Sequence, residues 1–238
     1  MNPKILLLDI ECTPMLVWSY EMYDASIVKQ QRDWYITGWS VKWLGGKSTT
    51  KILPDFPIYK KDKRNDKQLM EALTPFLAEA DIIIAHNGDG FDIKKINTRL
   101  IINGLEPLPM SKTIDTLKIA RRNFKFSSNR LDFICQALGI GEKIHLEKDI
   151  WYDCIEKDEP KAWEKMRKYN KHDTDLLEPL YYRFLPWIKN YPQFHTKKTQ
   201  CPRPGCMSLN TQSRGLADKP NYKRYRCKEC TGWFQEKV

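Results

Sequence analysis

The sequence predicts an α/β body, a mixed sheet flanked by helices, followed by a small cysteine-bearing module. Three observations carry that expectation. After residue 66, short apolar runs alternate with stretches of helical periodicity, the order that builds a layered α/β domain. Before residue 66, the chain opens with an apolar strand and a hairpin. From residue 201 onward, four cysteines fall in two close pairs. A length of 238 residues suits one body, expected over residues 1–190, and an appendage over residues 191–238.

The elements follow in order. Ile5, Leu6, Leu7, Leu8 and Ile10 form a run short and apolar enough for a central strand over residues 4–11. Residues 12–35 read as an irregular excursion rich in aromatics, with Pro14, Trp18, Tyr20, Tyr23, Trp34 and Tyr35. Residues 36–44 alternate as a strand, Gly45-Gly46 makes a turn, and residues 49–53 return as its partner. Leu69, Leu73, Phe76 and Leu77 mark a helix over residues 66–80, and Ile93, Ile96 and Leu100 mark another over 91–102. Strands are expected at 82–85 and 112–115, with helices at about 116–122, 129–138 and 160–184. Pro186, Pro192 and the polar stretch 195–200 read as a linker.

With 41% hydrophobic and 29% charged residues, the composition supports a packed core and excludes wholesale disorder. No apolar run approaches the roughly 20 residues of a membrane span. The opening apolar run is too short for a signal peptide and soon carries Asp9 and Glu11. A soluble, cytoplasmic protein with no membrane partner is therefore expected. The net charge of +10 is uneven, with +7 on residues 195–238 and +3 on the rest. A basic tail on a balanced body points to a polyanion, nucleic acid above all, although a solvated face would look the same.

Cys201 and Cys206, then Cys227 and Cys230, offer four soft thiolates on two tight turns, a set that suits one structural Zn²⁺. Two disulfides or an iron-sulfur cluster are the alternatives. Cys12, Cys135 and Cys154 read as reduced core residues. A module this small has too little core to fold without the ion, and four cysteine ligands leave no open position for catalysis.

Acidic residues recur at positions suited to a second metal site. Asp9 and Glu11 lie two apart on the first strand, which sends both to one face. Alone, they are equally a pair of solvated carboxylates. Asp92 opens a helix within Asn87-Gly88-Asp89-Gly90-Phe91-Asp92, where helix capping is the simpler role. Tyr169 and Asp173 lie four apart on the long helix and so stack on one face, whereas Tyr20 and Asp24 repeat the spacing in the irregular excursion.

Taken in order, Asp9-Ile-Glu11, Asn87-x3-Phe91-Asp92 and Tyr169-x3-Asp173 resemble the three motifs of the DEDD, or DnaQ-like, exonucleases of ribonuclease H-like fold. The tyrosine is similar to that of the subgroup containing family B polymerase proofreading domains; the position of the other subgroup's histidine is Lys168, so His172 is not that residue. The resemblance covers roughly residues 4–185. It implies that Asp9, Glu11, Asp92 and Asp173 hold two Mg²⁺ or Mn²⁺ ions, that Tyr169 orients the attacking water, and that nucleic acid is hydrolysed from the 3′ end to 5′-nucleotides. DNA is favoured over RNA, beside a polymerase or repair complex. A structure-selective endonuclease and a non-catalytic nucleic-acid-binding adaptor are the alternatives. By the same resemblance, Asn87 and Phe91 contact the terminal nucleotides, although a buried Phe91 is the rival. Asp115 and His86 read as structural.

The tail resembles a zinc ribbon whose first knuckle has four intervening residues where two are usual. Tyr222, Lys223, Arg224 and Arg226 interleave aromatic and basic groups that suit nucleic acid. The aromatics would equally serve as the ribbon's own core or dock another protein.

Overall fold

A computed structural model describes residues 3–21, 23, 26–109, 111–141, 144, 146, 147, 149–188, 191, 192, 199–203, 205–217 and 220–237. The body contains β1 (Ile5–Cys12), β2 (Leu16–Ser19), β3 (Ile27–Arg32), β4 (Ile36–Trp43), β5 (Ser48–Ile52), α1 (Lys67–Glu79), β6 (Ile82–Ala85), α2 (Asp92–Ile102), β7 (Lys112–Asp115), α3 (Thr116–Asn123), α4 (Leu131–Ala137), α5 (Ile150–Ile155) and α6 (Pro160–Phe184). Five strands form a mixed sheet in the order β5-β4-β1-β6-β7. β1 pairs antiparallel with β4 and parallel with β6, and β7 extends the parallel half.

The period of two along β1 divides the core. Leu6, Leu8 and Ile10 pack with Leu69, Leu73, Ile96 and Leu100 of α1 and α2. Ile5 and Leu7 pack with Leu131, Ile134, Leu177 and Leu180 of α4 and α6. Continuing that second set along the strand gives Asp9 and Glu11, so an apolar face turns acidic at the strand's C-terminal end. The register shifts between Glu11 and Cys12, a bulge that ends the regular ladder just past the second carboxylate.

A wholly buried carboxylate ties the first layer together. Asp66 accepts from Arg99 Nε at 2.7 Å, Arg99 Nη2 at 2.8 Å, Asn103 Nδ2 at 2.8 Å and the Ile36 N–H at 3.0 Å. Charge and lone pairs are thereby satisfied, the condition for burying an acid.

Two elements differ from expectation. The excursion over residues 12–35 contains a two-stranded antiparallel hairpin, β2 with β3, joined only to itself. Its Leu16, Trp18, Ile27 and Val28 are exposed, so no buried face imposed an alternating pattern for the sequence to display. The second is α5, a six-residue helix that buries Ile150 and Cys154 and is too short to show periodicity.

Past the body lie β8 (Thr211–Leu216), β9 (Tyr222–Cys227) and β10 (Trp233–Lys237), an antiparallel sheet in the order β10-β9-β8. The expected linker falls mostly on residues 193–198, outside the described residues, while Tyr191 packs in the body's core with its hydroxyl 2.7 Å from that of Tyr181. Arg203, between the first two cysteines, is fully buried. Its Nε donates to the Leu185 carbonyl oxygen at 2.9 Å, and its Nη2 donates to those of Ile188 at 2.9 Å and Trp233 at 2.8 Å. Gly232 is required beside it, because a Cβ there would lie 2.3 Å from Arg203 Cζ.

This contact fixes where the small module sits. α6 runs antiparallel to β1: Thr174 hydrogen-bonds the Ser40 carbonyl at the level of Asp9, and Glu178 accepts from the Gly45 N–H near the start of β1. Leu185 lies twelve residues beyond Asp173, about 18 Å along the helix. The module therefore docks at the end of the sheet away from the acidic residues. Among the described residues no helix is long and apolar enough to cross a membrane.

Candidate active site and cysteine cluster

Three pieces of backbone bring in the four acidic side chains. Asp9 and Glu11 come from β1. Asp92 stands at the first position of α2, where its Oδ1 accepts the Ile10 N–H at 3.1 Å, a bond that clamps the helix start onto β1. Asp173 projects from α6 and is buried. The turn that delivers Asp92 is itself held by Asp115: the Asn87 N–H donates to Asp115 Oδ1 at 3.0 Å and the Asp89 N–H to Oδ2 at 3.3 Å, while Asp115 also caps α3. Asn87 takes a left-handed φ of 70°, and a Cβ on Gly88 would meet that of Ala85 at 2.6 Å.

The electrostatics record the convergence. The Asp9 carboxyl is pushed well above its usual range, first by burial and then by the charges of Glu11, Asp92 and Asp173. Asp92 is pushed up to about 7, chiefly by burial and against the Ile10 N–H. Burial raises the Tyr169 phenol, followed by the charges of Asp173 and Glu11 and a hydrogen bond to Asp173, so Tyr169 is protonated. Asp9, Glu11, Asp92, Tyr169 and Asp173 thus lie within electrostatic reach of one another.

Asn170 was not anticipated. It is buried on α6 beside Tyr169, and its Nδ2 donates to Asp9 Oδ2, opposing the forces that would protonate Asp9. Its place three residues before Asp173, on the same helical face, was the signal available. The chemistry of this donor set fits divalent cations: hard oxygens, partly desolvated, whose mutual repulsion a cation would relieve.

A cleft of about 460 Å³ opens on the site and is lined by Asp9 and Asp173 together with His86, Asn87, Arg121, Asn129 and Arg130. His86 is structural, with Nδ1 2.9 Å from Thr116 Oγ1 and Nε2 2.9 Å from the Asn129 carbonyl oxygen. Asn87 is exposed in this cleft. Phe91 is 36% exposed rather than buried, and Lys95 Nζ lies 5.4 Å from its ring and 3.4 Å from that of Trp34.

The cysteines form a tighter group. The ligand atoms of Cys201, Cys206, Cys227 and Cys230 all lie within 4.8 Å of one another, the one such group among the described residues. The Cys201–Cys230 and Cys206–Cys227 sulfurs are 3.6 and 3.5 Å apart, too far for disulfides and suited to a shared tetrahedral ion. Burial pushes the Cys206 thiol up to about 11, and the contact with Cys201 followed by burial pushes Cys230 up to about 12. Four thiolates packed this closely repel one another unless a cation sits among them. The cluster fits a zinc ribbon. On β9, Tyr225 packs on the buried Phe234, ring centroids 5.4 Å apart. Alternation places Lys223 with Tyr225, and Tyr222, Arg224 and Arg226 on the opposite face. That face also carries Trp233, directly across from Arg226 and 44% exposed.

Comparison with known proteins points the same way. A family model described as RNase_H_2, of the RNase_H superfamily, matches residues 36–185, which include Asp92, Tyr169 and Asp173 but begin after Asp9 and Glu11. The DNA polymerase III PolC-type of Ureaplasma parvum serovar 3 is 53% identical over 55 residues, which amount to 23% of this chain and 4% of that one. The solved family B DNA polymerase of the hyperthermophilic archaeon Pyrobaculum calidifontis aligns with a TM-score of 0.58 at 16% identity, over 78% of this chain and 25% of that one. The chain thus spans a small part of either polymerase, and at that identity the second likeness speaks to the fold.

Proposed function

We propose, from the premise that this chain belongs to the RNase H superfamily, that it is a two-metal-ion 3′-to-5′ exonuclease acting on single-stranded or frayed nucleic acid, DNA in preference to RNA. One observation supports the reading: the carboxyl of Asp9 feels Glu11, Asp92 and Asp173 together, acids far apart in sequence. Asp9, Glu11, Asp92 and Asp173 would hold two Mg²⁺ or Mn²⁺ ions.

When bound, such ions supply positive charge to the phosphodiester and lower the pKa of water. The chain's own residues do the rest. Tyr169, protonated and bonded to Asp173, presents a hydroxyl with which to orient the attacking water. Asn170 fixes one oxygen of Asp9. Phe91 offers an exposed ring for a terminal base to stack upon, worth about 1 to 3 kcal/mol per base. The cysteine cluster would hold one Zn²⁺ structurally, and Tyr222, Arg224 and Arg226 of the ribbon would hold the strand at a distance from the site, with Lys223 on the sheet's other face. The polymerase relatives support a setting beside a polymerase or repair complex.

The test uses end-labelled and circular DNA and RNA with Mg²⁺, Mn²⁺ or chelator. Laddering from the 3′ end that stops with chelator, and with Asp92→Ala, is the expected result. Cutting of circles would replace exonuclease by endonuclease, and no hydrolysis of any substrate would leave a non-catalytic binding protein.

A further inference from the structure

The cleft that exposes Asp9 and Asp173 is also lined by Arg121, in the last turn of α3, and Arg130, just before α4. Both are exposed, and neither is ion-paired among the described residues, although two carboxylates line the same cleft. Most buried and half-buried acids elsewhere have taken a cation, as Asp66 takes Arg99 and Asp158 takes Lys63. The segments that carry the two arginines are tied together at the cleft: His86, just past β6, is bonded to the Thr116 hydroxyl at the start of α3 and to the carbonyl of Asn129, the residue before Arg130.

We propose that Arg121 and Arg130 form a phosphate-binding subsite that takes the backbone phosphates next to the scissile one; this rests on the nuclease reading above. A polyanion entering a cleft lined by Asp9 and Asp173 needs fixed positive charge beside them. A guanidinium supplies it with a fork that matches two phosphate oxygens. Stabilising the C-terminal end of α3 is the competing role for Arg121, but it would fall equally on Arg122 in the same turn. Arg122 lines a different cleft, with Asp89, Lys118 and Trp187.

The experiment compares the full chain with Arg121→Ala, Arg130→Ala, the double variant and Arg122→Ala. Binding of a labelled single-stranded oligonucleotide is read by fluorescence anisotropy across a salt series, in chelator and in Ca²⁺, and hydrolysis is read separately in Mg²⁺. Each cleft variant lowers the slope of log affinity against log salt by roughly 0.7, the value for one phosphate contact on a single strand. The double variant raises KM about tenfold or more with kcat within about threefold. Arg122→Ala changes neither. An unchanged slope and KM in the double variant overturns the subsite while leaving the nuclease reading intact. Equal losses from Arg121→Ala and Arg122→Ala overturn it also. A wild type that hydrolyses nothing, with the slope still falling as stated, sinks the nuclease reading and keeps Arg121 and Arg130 only as phosphate contacts.

Discussion

Arg203 donates through Nε to the Leu185 carbonyl oxygen at 2.9 Å, so a side chain from the first cysteine knuckle closes off the end of the helix that carries Tyr169 and Asp173. The last carbonyls of a helix lack internal partners, and a buried guanidinium is a strong donor for them.

Arg203→Ala strands the Leu185, Ile188 and Trp233 carbonyls, each at about 1 to 3 kcal/mol if left without a partner. Gly232→Ala, which drives a methyl into the guanidinium, should act alike. The expected outcome is faster proteolytic removal of the ribbon, with the body's melting temperature nearly unchanged. Equal protease resistance in wild type and both variants would mean that Arg203 is not what docks the ribbon.

Asn170→Ala frees Asp9 Oδ2 from its donor without removing a carboxylate. Partners of this kind, lying behind a ligand, typically account for 10–100-fold in activity or metal affinity. We expect the Mg²⁺ concentration for half-maximal hydrolysis to rise by that order, and an unchanged metal titration would remove Asn170 from the site.

Acid stability tests an ion pair outside the acidic set. Asp55 accepts Arg167 Nη2 at 2.6 Å and Nη1 at 2.9 Å. Burial would raise its pKa, but the Arg167 bonds, the Ile52 N–H and nearby positive charge outweigh it and hold the carboxyl below 3.8. A folded value below the unfolded one gives stability that is complete above the unfolded value and is lost as pH falls through the folded one. Asp55→Asn should therefore cost roughly 1 kcal/mol at neutral pH. In urea melts that difference should shrink once the pH drops below 3.8; a gap that persists undiminished argues against the pair.

The ribbon's distance from the carboxylates predicts a dependence on substrate length. The ribbon's docking point at Leu185 lies about 18 Å along α6 from Asp173, so at about 3.4 Å per nucleotide only substrates longer than roughly five nucleotides span from the carboxylates to the ribbon. Arg224→Ala with Arg226→Ala should weaken binding of long single strands and leave shorter ones unaffected. Equal weakening at every length would place the basic face elsewhere on the substrate's path.

Most of the body was legible because its elements bury one face, which stamps a period of two on β1 and a helical period on α1, α2 and α6. The acidic residues stood out in the sequence through their order and spacing, which is what the proposed site is built on. The β2–β3 hairpin was not, since its residues face solvent and answer to no core. Asn170 was hidden among other polar residues of α6, its role set by contact with a strand some 160 residues earlier. The aromatics of the tail divided in a way that alternation alone foretold only after the register was known: Tyr225 went to the ribbon's core and Tyr222 to its outer face.

The longer first knuckle makes this ribbon a keyed part. Residue 203 is the key, and the carbonyls beyond α6 are the lock. A ribbon with the usual two-residue knuckle grafted here would bind its ion yet swing free, and this ribbon moved to another nuclease would find no receptacle. Exchange of such modules between relatives therefore has to carry both halves of the fitting together.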